Sequence, residues 1–294
     1  MTRRGWILFS LLGIVWGLPY LLIKIAVAEI PVPVLVFLRV TLGAAFLLPL
    51  ALRRAHLARL RGHWIPITAF ATLEFITPWG LLSHAEIWIS SSTAGLLMAS
   101  IPILALLITR LLGDRERLGR RRQLGLAAGF AGVFILAGPD LGGDGWAIAE
   151  VLLAATCYSA AAVLAARRLG GVPTLPMTAA CLMIASLAYL APAIAAWPVA
   201  LPSTAAMAAI GGLALPCTAL AFVGFFALIR EVGVSRTTVV AYVNPAVAVT
   251  AGVLVLSEPL TPAIVVAFVL ILGGSVLATG PTERAPGRRS PRRA

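Results

Sequence analysis

The chain has 294 residues, of which 60% are hydrophobic and only 12% charged, with a formal net charge of +12. A soluble domain of this size could not hide so much apolar surface, and a mean hydropathy of +0.99 makes lipid the solvent. The excess of positive charge would suggest a nucleic-acid partner, but its placement in the loops between apolar stretches decides against that.

In chain order, apolar stretches near the roughly 20 residues that cross a bilayer as helix predict ten spans, at 6–28, 32–52, 66–83, 93–112, 124–138, 146–166, 174–197, 204–229, 237–257 and 262–280. The first reads as a span rather than a cleaved signal, because more spans follow and no small-residue cleavage site leads into a soluble domain. Alternating strand periodicity is absent, which disfavours a barrel. Arg3 and Arg4 precede the first span, and Arg53, Arg54, Arg59 and Arg61 follow the second. Six Arg from Arg110 to Arg122 follow the fourth, Arg167 and Arg168 the sixth, Arg230 and Arg236 the eighth, and five Arg lie from Arg284 onward. Thus 21 of the 23 basic residues fall in alternate loops, while Glu29, Glu86, Asp140, Asp144 and Glu258 mark the others. That segregation is the positive-inside pattern for ten spans with both termini cytoplasmic. The Pro- and Arg-rich tail, 282–294, reads as a disordered basic cytoplasmic segment. Cys157, Cys181 and Cys217 all lie within spans, with neither a disulfide framework nor metal spacing, so no cofactor or metal is expected.

The two halves repeat. An offset of 142 residues carries Glu116 to Glu258, Gly132 to Gly274, Gly138 to Gly280, Pro139 to Pro281 and Trp16 to Tyr158, and an offset of 143 carries Pro102 to Pro245. With five spans per unit, the second copy must start on the opposite side of the membrane. The expected architecture is therefore an all-α membrane protein of about ten transmembrane helices in two inverted five-helix repeats, 1–140 and 141–281. Such halves face each other across a pseudo-two-fold axis in the membrane plane, an arrangement suited to alternating access.

Three segments carry a resemblance. Trp16-Gly-Leu-Pro-Tyr…Lys24 with Leu38-Arg39 is similar to the opening of the drug/metabolite transporter superfamily. Leu112-Gly-Asp-Arg-Glu116-Arg-Leu with Gln123-Leu-Gly resembles the end of its first repeat, and Tyr242-Val-Asn-Pro245…Leu256-Ser-Glu258-Pro-Leu-Thr the matching end of its second. The order, spacing and repetition point to the ten-helix EamA-type branch. The resemblance implies export of small metabolites, often amino acids or toxic compounds, from the bacterial cytoplasm across the inner membrane. It does not name the solute.

Ionisable groups inside a bilayer cost a few kcal/mol on insertion scales, so each needs a reason. Lys24 and Arg39 lie in the outer parts of spans one and two, and Glu74 near the middle of span three. Lys24 either snorkels or meets substrate. Arg39 reads as a structural clamp on carbonyls or on Glu29. Glu74 either pairs with Lys24 or Arg39, or binds an amine or a proton. Paired helix breaks often mark a transporter's binding site. Pro102 and Pro245 are such a pair, with Ser100 and Asn244 beside them, and Pro19, Pro78 and Pro216 add mid-span kinks. Trp16, Tyr20, Trp79, Tyr158 and Tyr242 supply aromatic surface for a pocket, with Trp16, Tyr158 and Tyr242 the foremost lining residues. Trp6, Trp64, Trp88 and Trp146 read as interfacial anchors. Gly13-x-x-x-Gly17 and Gly125-x-x-x-Gly129 with Gly132 permit close helix packing inside the monomer, with a homodimer seam as the alternative.

The expected partners are a small-molecule substrate and the bilayer, not nucleic acid. A membrane-embedded enzyme would need a catalytic set, yet His56 and His63 sit in a basic loop and His84 at the outer rim. A channel would show polar rings or filter loops, and an ATP-driven pump a Gly-rich lysine loop. Neither occurs. A duplicated scaffold without transport remains as the other alternative.

Overall fold

The computed structural model of the chain describes residues 2–52, 60–113, 119–137, 145–233 and 238–279. The expectations placed on Glu116, Gly138, Pro139, Asp140, Asp144, Gly280, Pro281 and the tail lie outside them. Among the described residues there is no strand, and helix crosses the long dimension of the bundle ten times. Seven passes are helices long and apolar enough to span a membrane: Arg3–Val27, Val32–Ala51, Trp64–Trp88, Ser91–Leu111, Gly145–Arg168, Thr174–Ala195 and Thr204–Val232. Span five, Arg120–Ala137, opens on three Arg, and spans nine and ten are the shorter Val240–Leu256 and Pro262–Ala278.

Several passes are broken, each for a local reason. Proline has no N–H to donate and crowds the turn before it. Span one ends its first helix at Gly17 and restarts at Pro19. Span four is Ser91–Met98 followed by Ile101–Leu111, and span nine is a 3₁₀ segment, Thr238–Tyr242, followed by Asn244–Leu256. Pro102 and Pro245 thus open second helices rather than kink continuous ones. Spans three and eight carry π segments at Thr72–Ile76 and Leu215–Leu220, beside or including Pro78 and Pro216. Such bulges collect at functional sites. Side-chain hydroxyls tie down carbonyls around them: Tyr189 Oη donates to the Ile76 carbonyl and Thr218 Oγ1 to that of Leu213, both at 2.8 Å.

Span three runs five residues further than the apolar pattern predicts, to Trp88, and span four begins at Ser91. His84 and Glu86 do not end the helix: Glu86 is buried against protein rather than lipid, and the more exposed His84 meets Glu150. Glu86 is therefore not a loop residue.

The packing has the symmetry of the repeat. Span two lies along span seven, span five along span ten, and span four against span nine. Span one touches spans eight and nine as span six touches spans three and four. Exchanging the halves maps this set of contacts onto itself. Glycines fix the seams: a Cβ on Gly274 would meet backbone at Gly125 and Gly129, and one on Gly17 would meet Val247 and the Asn244 carbonyl. Both small-residue motifs are thus filled within the chain. Gly274→Val should cost about 1–3 kcal/mol by overpacking, read as earlier thermal unfolding in detergent. An unchanged transition would deny the close seam between spans five and ten.

Candidate functional site

The breaks in spans four and nine meet near the centre of the bundle. Between them lies a cavity of about 50 Å³ lined by Tyr20, Pro102, Tyr242, Asn244 and Pro245 among others. That is far below the roughly 300–1,000 Å³ of ligand pockets, so this conformer is closed around it. Hydroxyls satisfy the carbonyls freed at the span-four break: Ser100 bonds Leu97 at 2.6 Å, Ser275 bonds Ala99 at 2.9 Å and Ser159 bonds Ile101 at 2.9 Å. At the span-nine break the Asn244 amide nitrogen, turned inward, donates to the carbonyls of Val240 at 3.1 Å and Gly13 at 3.2 Å. Ser100 and Asn244 therefore hold the broken helices as well as flanking the cavity.

Trp16 lies elsewhere. Its ring packs on Phe225 and Phe222, at centroid distances of 4.9 and 5.9 Å, where span one meets span eight. Trp6, Trp64, Trp88 and Trp146 are exposed.

Beside the cavity, charge is arranged on two branches of the pseudo-dyad. On the first, Arg39 is buried with its guanidinium 3.5 Å from the centroid of the Trp79 ring, and its Nε donates to Thr218 Oγ1 at 3.2 Å. Cys217 lies within electrostatic reach of it. This clamp joins spans two, three and eight, and Glu29 has no part in it. On the second branch Glu74, in the π segment of span three, faces Cys181 and Tyr158. An offset of 142 turns Arg39 into Cys181, and one of 143 turns Glu74 into Cys217. Each branch therefore sets one charged residue against one cysteine, with opposite signs. Tyr158 is within electrostatic reach of both Arg39 and Glu74. Among the described residues Glu74 makes no hydrogen bond and no ion pair, so it pairs with neither Lys24 nor Arg39.

The Arg-poor end of the bundle is closed by polar clasps that join one half to the other. Glu258 caps the start of span four: it accepts from Ser91 N at 2.7 Å and Ser91 Oγ at 2.8 Å, and from Ser92 N at 3.0 Å and Ser92 Oγ at 2.5 Å. Burial alone would raise its carboxyl, but these four bonds outweigh it and hold the group below the ordinary carboxylate range. Glu29 accepts from the N–H and hydroxyl of Ser203, both at 2.6 Å, which lower its carboxyl in the same way. His84 Nδ1 meets Glu150 at 2.8 Å, with the Trp146 indole also on Glu150 at 3.1 Å. Lys24 does not snorkel out; its ammonium donates to the carbonyls of Glu86 at 2.6 Å and Ile89 at 2.9 Å. At the opposite end Thr2 Oγ1 donates to Glu231.

The sequence pattern missed Glu86, the Ser91–Ser92 pair, Thr218 and the His84–Glu150 contact. The signal for Glu86 is present: it stands between Ala85 and Ile87-Trp88-Ile89, an apolar run that a loop would not need.

Comparison with known proteins agrees with the architecture. The model of the EamA-like transporter family matches twice, over residues 3–138 and 145–280. The uncharacterized inner membrane transporter YedA of Escherichia coli (strain K12) is 30% identical over 250 residues, covering 82% of this chain and 79% of its own. The uncharacterized transporter YvbV of Bacillus subtilis (strain 168) is 28% identical over 288 residues, covering 92% of this chain and 90% of its own. One crystal structure, 22% identical, covers 95% of this chain and 97% of its own at a TM-score of 0.67, a likeness of fold. Matched by the family model along both halves, this multi-pass membrane protein belongs to the EamA-like transporter family.

Proposed function

We propose that the chain is a secondary exporter of small amphipathic metabolites of the amino-acid type, working by alternating access in the bacterial inner membrane. Residues 1–140 and 141–281 are its two inverted units, both termini are cytoplasmic, and the Arg-poor end faces outward. One observation carries the reading: a buried cation, Arg39 on Trp79, and a carboxyl without a partner among the described residues, Glu74, stand on opposite branches of the dyad, both within electrostatic reach of Tyr158. An α-amino acid carries the complementary pair, a carboxylate for Arg39 and an ammonium for Glu74, on adjacent bonds. Tyr20, Tyr242 and Trp79 supply area for its side chain at little entropic cost. Lys24 and the clasps then close the outer route, while Ser100, Asn244, Pro102 and Pro245 hold the broken helices at the centre.

The test is counterflow in proteoliposomes against amino acids, amines and sugars, with product analysis in the same vesicles. Exchange of amino acids without chemical change is expected. No exchange of any zwitterion, or conversion of a substrate that does not cross, would overturn the reading. Glu74→Gln should lower exchange of amino acids at least tenfold through KM, since losing a hydrogen bond to a charged group costs about 1.5–3 kcal/mol and tenfold is about 1.4 kcal/mol. Equal KM in the variant would remove Glu74 from the site.

A further inference from the structure

One group is explained neither by packing nor by the site above. Glu86 is fully buried, and neither of its carboxylate oxygens makes a hydrogen bond. Ser83, one turn earlier on the same helix face, is also fully buried, and its hydroxyl too is unpartnered. The neighbouring cation is engaged elsewhere: Lys24 spends its ammonium on two backbone carbonyls, one of them that of Glu86 itself. Leaving an ionised carboxylate so placed costs several kcal/mol, and proteins do not keep such groups bare without a use for them.

We propose that Glu86 is a proton-binding site tied to the outer clasp, taking up a proton as the Arg-poor end closes and releasing it as that end opens. The inference deepens the transport reading and rests on it for direction. Among the described residues, the charged and titratable groups around Glu86 are these. Glu258, from the loop after span nine, lies within its electrostatic reach, and so do Lys24 and Tyr20 from span one and Arg39 from span two. Across span six, Glu150 is occupied by His84 and Trp146; Glu74, on its own span, lies three turns deeper and faces Tyr158 and Cys181.

With the clasp shut, Glu258 is docked on Ser91 and Ser92 as an anion, so a second negative charge at Glu86 is opposed by the first. A proton from the external water then binds one Glu86 oxygen, and no bond in the protein breaks. When Glu258 leaves and the end opens, that repulsion falls away, water reaches the carboxyl, and Lys24 can exchange its carbonyl partners for the Glu86 carboxylate as the proton departs. One proton is bound per closure and one released per opening. Both steps exchange with the external water, so the proton sets the pH at which the outer end closes and is not itself carried across.

The measurement needs no substrate. Infrared difference spectra of the full-length protein in vesicles, recorded through a pH titration, should show a carboxylic-acid carbonyl band that Glu86→Gln removes and Glu74→Gln leaves in place. Glu258→Gln should move the midpoint of that band down by about one pH unit, the size of a nearby like charge removed. A band that survives Glu86→Gln, or one that titrates alike with and without Glu258, overturns the proposal. Should Glu86→Gln fail to fold, the Glu258→Gln shift is read in protein that keeps its native Glu86. Loss of counterflow with the band intact would sink the transport reading alone, and normal counterflow with no such band would sink the proton site alone.

Discussion

Glu258→Ala should open the Arg-poor end of the bundle, raising the labelling rate of a cysteine placed at Met98 by at least about tenfold with a membrane-impermeant thiol reagent. The chain's own cysteines, Cys157, Cys181 and Cys217, are all buried and would be replaced first. The size follows from the cap. Glu258 holds four donors at the first turn of span four, two of them backbone N–H groups that otherwise have no partner at a helix start. Hydrogen bonds to a charged group contribute about 1.5–3 kcal/mol each. Losing even one net bond of that strength shifts a two-state equilibrium by about tenfold. The clasp can be broken from the other side as well: a Cβ on Gly252 would occupy the place of the Glu258 carboxylate and the Ser91 and Ser92 hydroxyls, so Gly252→Ala should open the same end. If both variants label at the wild-type rate, the clasp is not a gate.

The same group sets a pH window. The Glu258 carboxyl is held below its ordinary value, so the clasp contributes fully above the usual glutamate pKa of about 4.3 and is lost only as pH falls through the lowered value. In a Glu86→Gln background, where the Glu86 proton adds no slope of its own, labelling at Met98 should accordingly stay flat from neutral pH to about pH 5 and rise only in stronger acid. A rise already between about pH 7 and pH 5 would take control of the clasp away from Glu258.

Much of this was legible in the chain. Arg segregation and the 142-residue offset are global signals, summed over many residues, and they predict ten passes and the dyad without any knowledge of side-chain contacts. Pro102 and Pro245 are legible because a missing N–H acts locally. What the pattern does not carry is which polar groups find each other across the dyad. Glu258 and Ser91 are 167 residues apart, Arg39 and Thr218 are 179 apart, and His84 and Glu150 are 66 apart. None of these pairs has a spacing that periodicity can read. Glu86 escapes the pattern for a related reason: hydropathy counts a glutamate as a loop residue, whereas here the helix continues because neighbouring spans bury it. Trp16 shows the opposite limit. Its equivalence to Tyr158 is exact in sequence, yet Trp16 meets Phe222 and Phe225 while Tyr158 meets the charged branches. Repeat symmetry aligns backbones, and the side chains then diverge.

Arg39→Met should abolish exchange of amino acids while leaving the fold as stable as before, or more so. The argument turns on what a buried charge costs. Among the described residues Arg39 has no carboxylate in contact; its partners are the Trp79 face and the Thr218 hydroxyl. A cation over an indole contributes about 0.5–2 kcal/mol, which does not offset the several kcal/mol needed to take an ion out of water. A residue kept for stability alone would therefore be better served by an apolar side chain of similar length. If Arg39 is only a clamp, its loss separates spans two, three and eight, and thermal unfolding falls by several degrees together with exchange. If it receives a solute carboxylate, the two readouts part: unfolding holds or rises, and exchange disappears. Arg39→Lys sharpens the distinction. It keeps the charge but loses the flat stack on Trp79 and the Nε donor to Thr218, so a point-charge role would survive it and a planar, oriented one would not. The expectation is a weakened KM with kcat retained within a few fold, because the ammonium still neutralises the carboxylate but no longer fixes its plane. A Lys variant as inactive as Met would mean that Trp79 and Arg39 act as one oriented surface, and that the chain recognises the geometry of the solute's carboxylate as well as its charge.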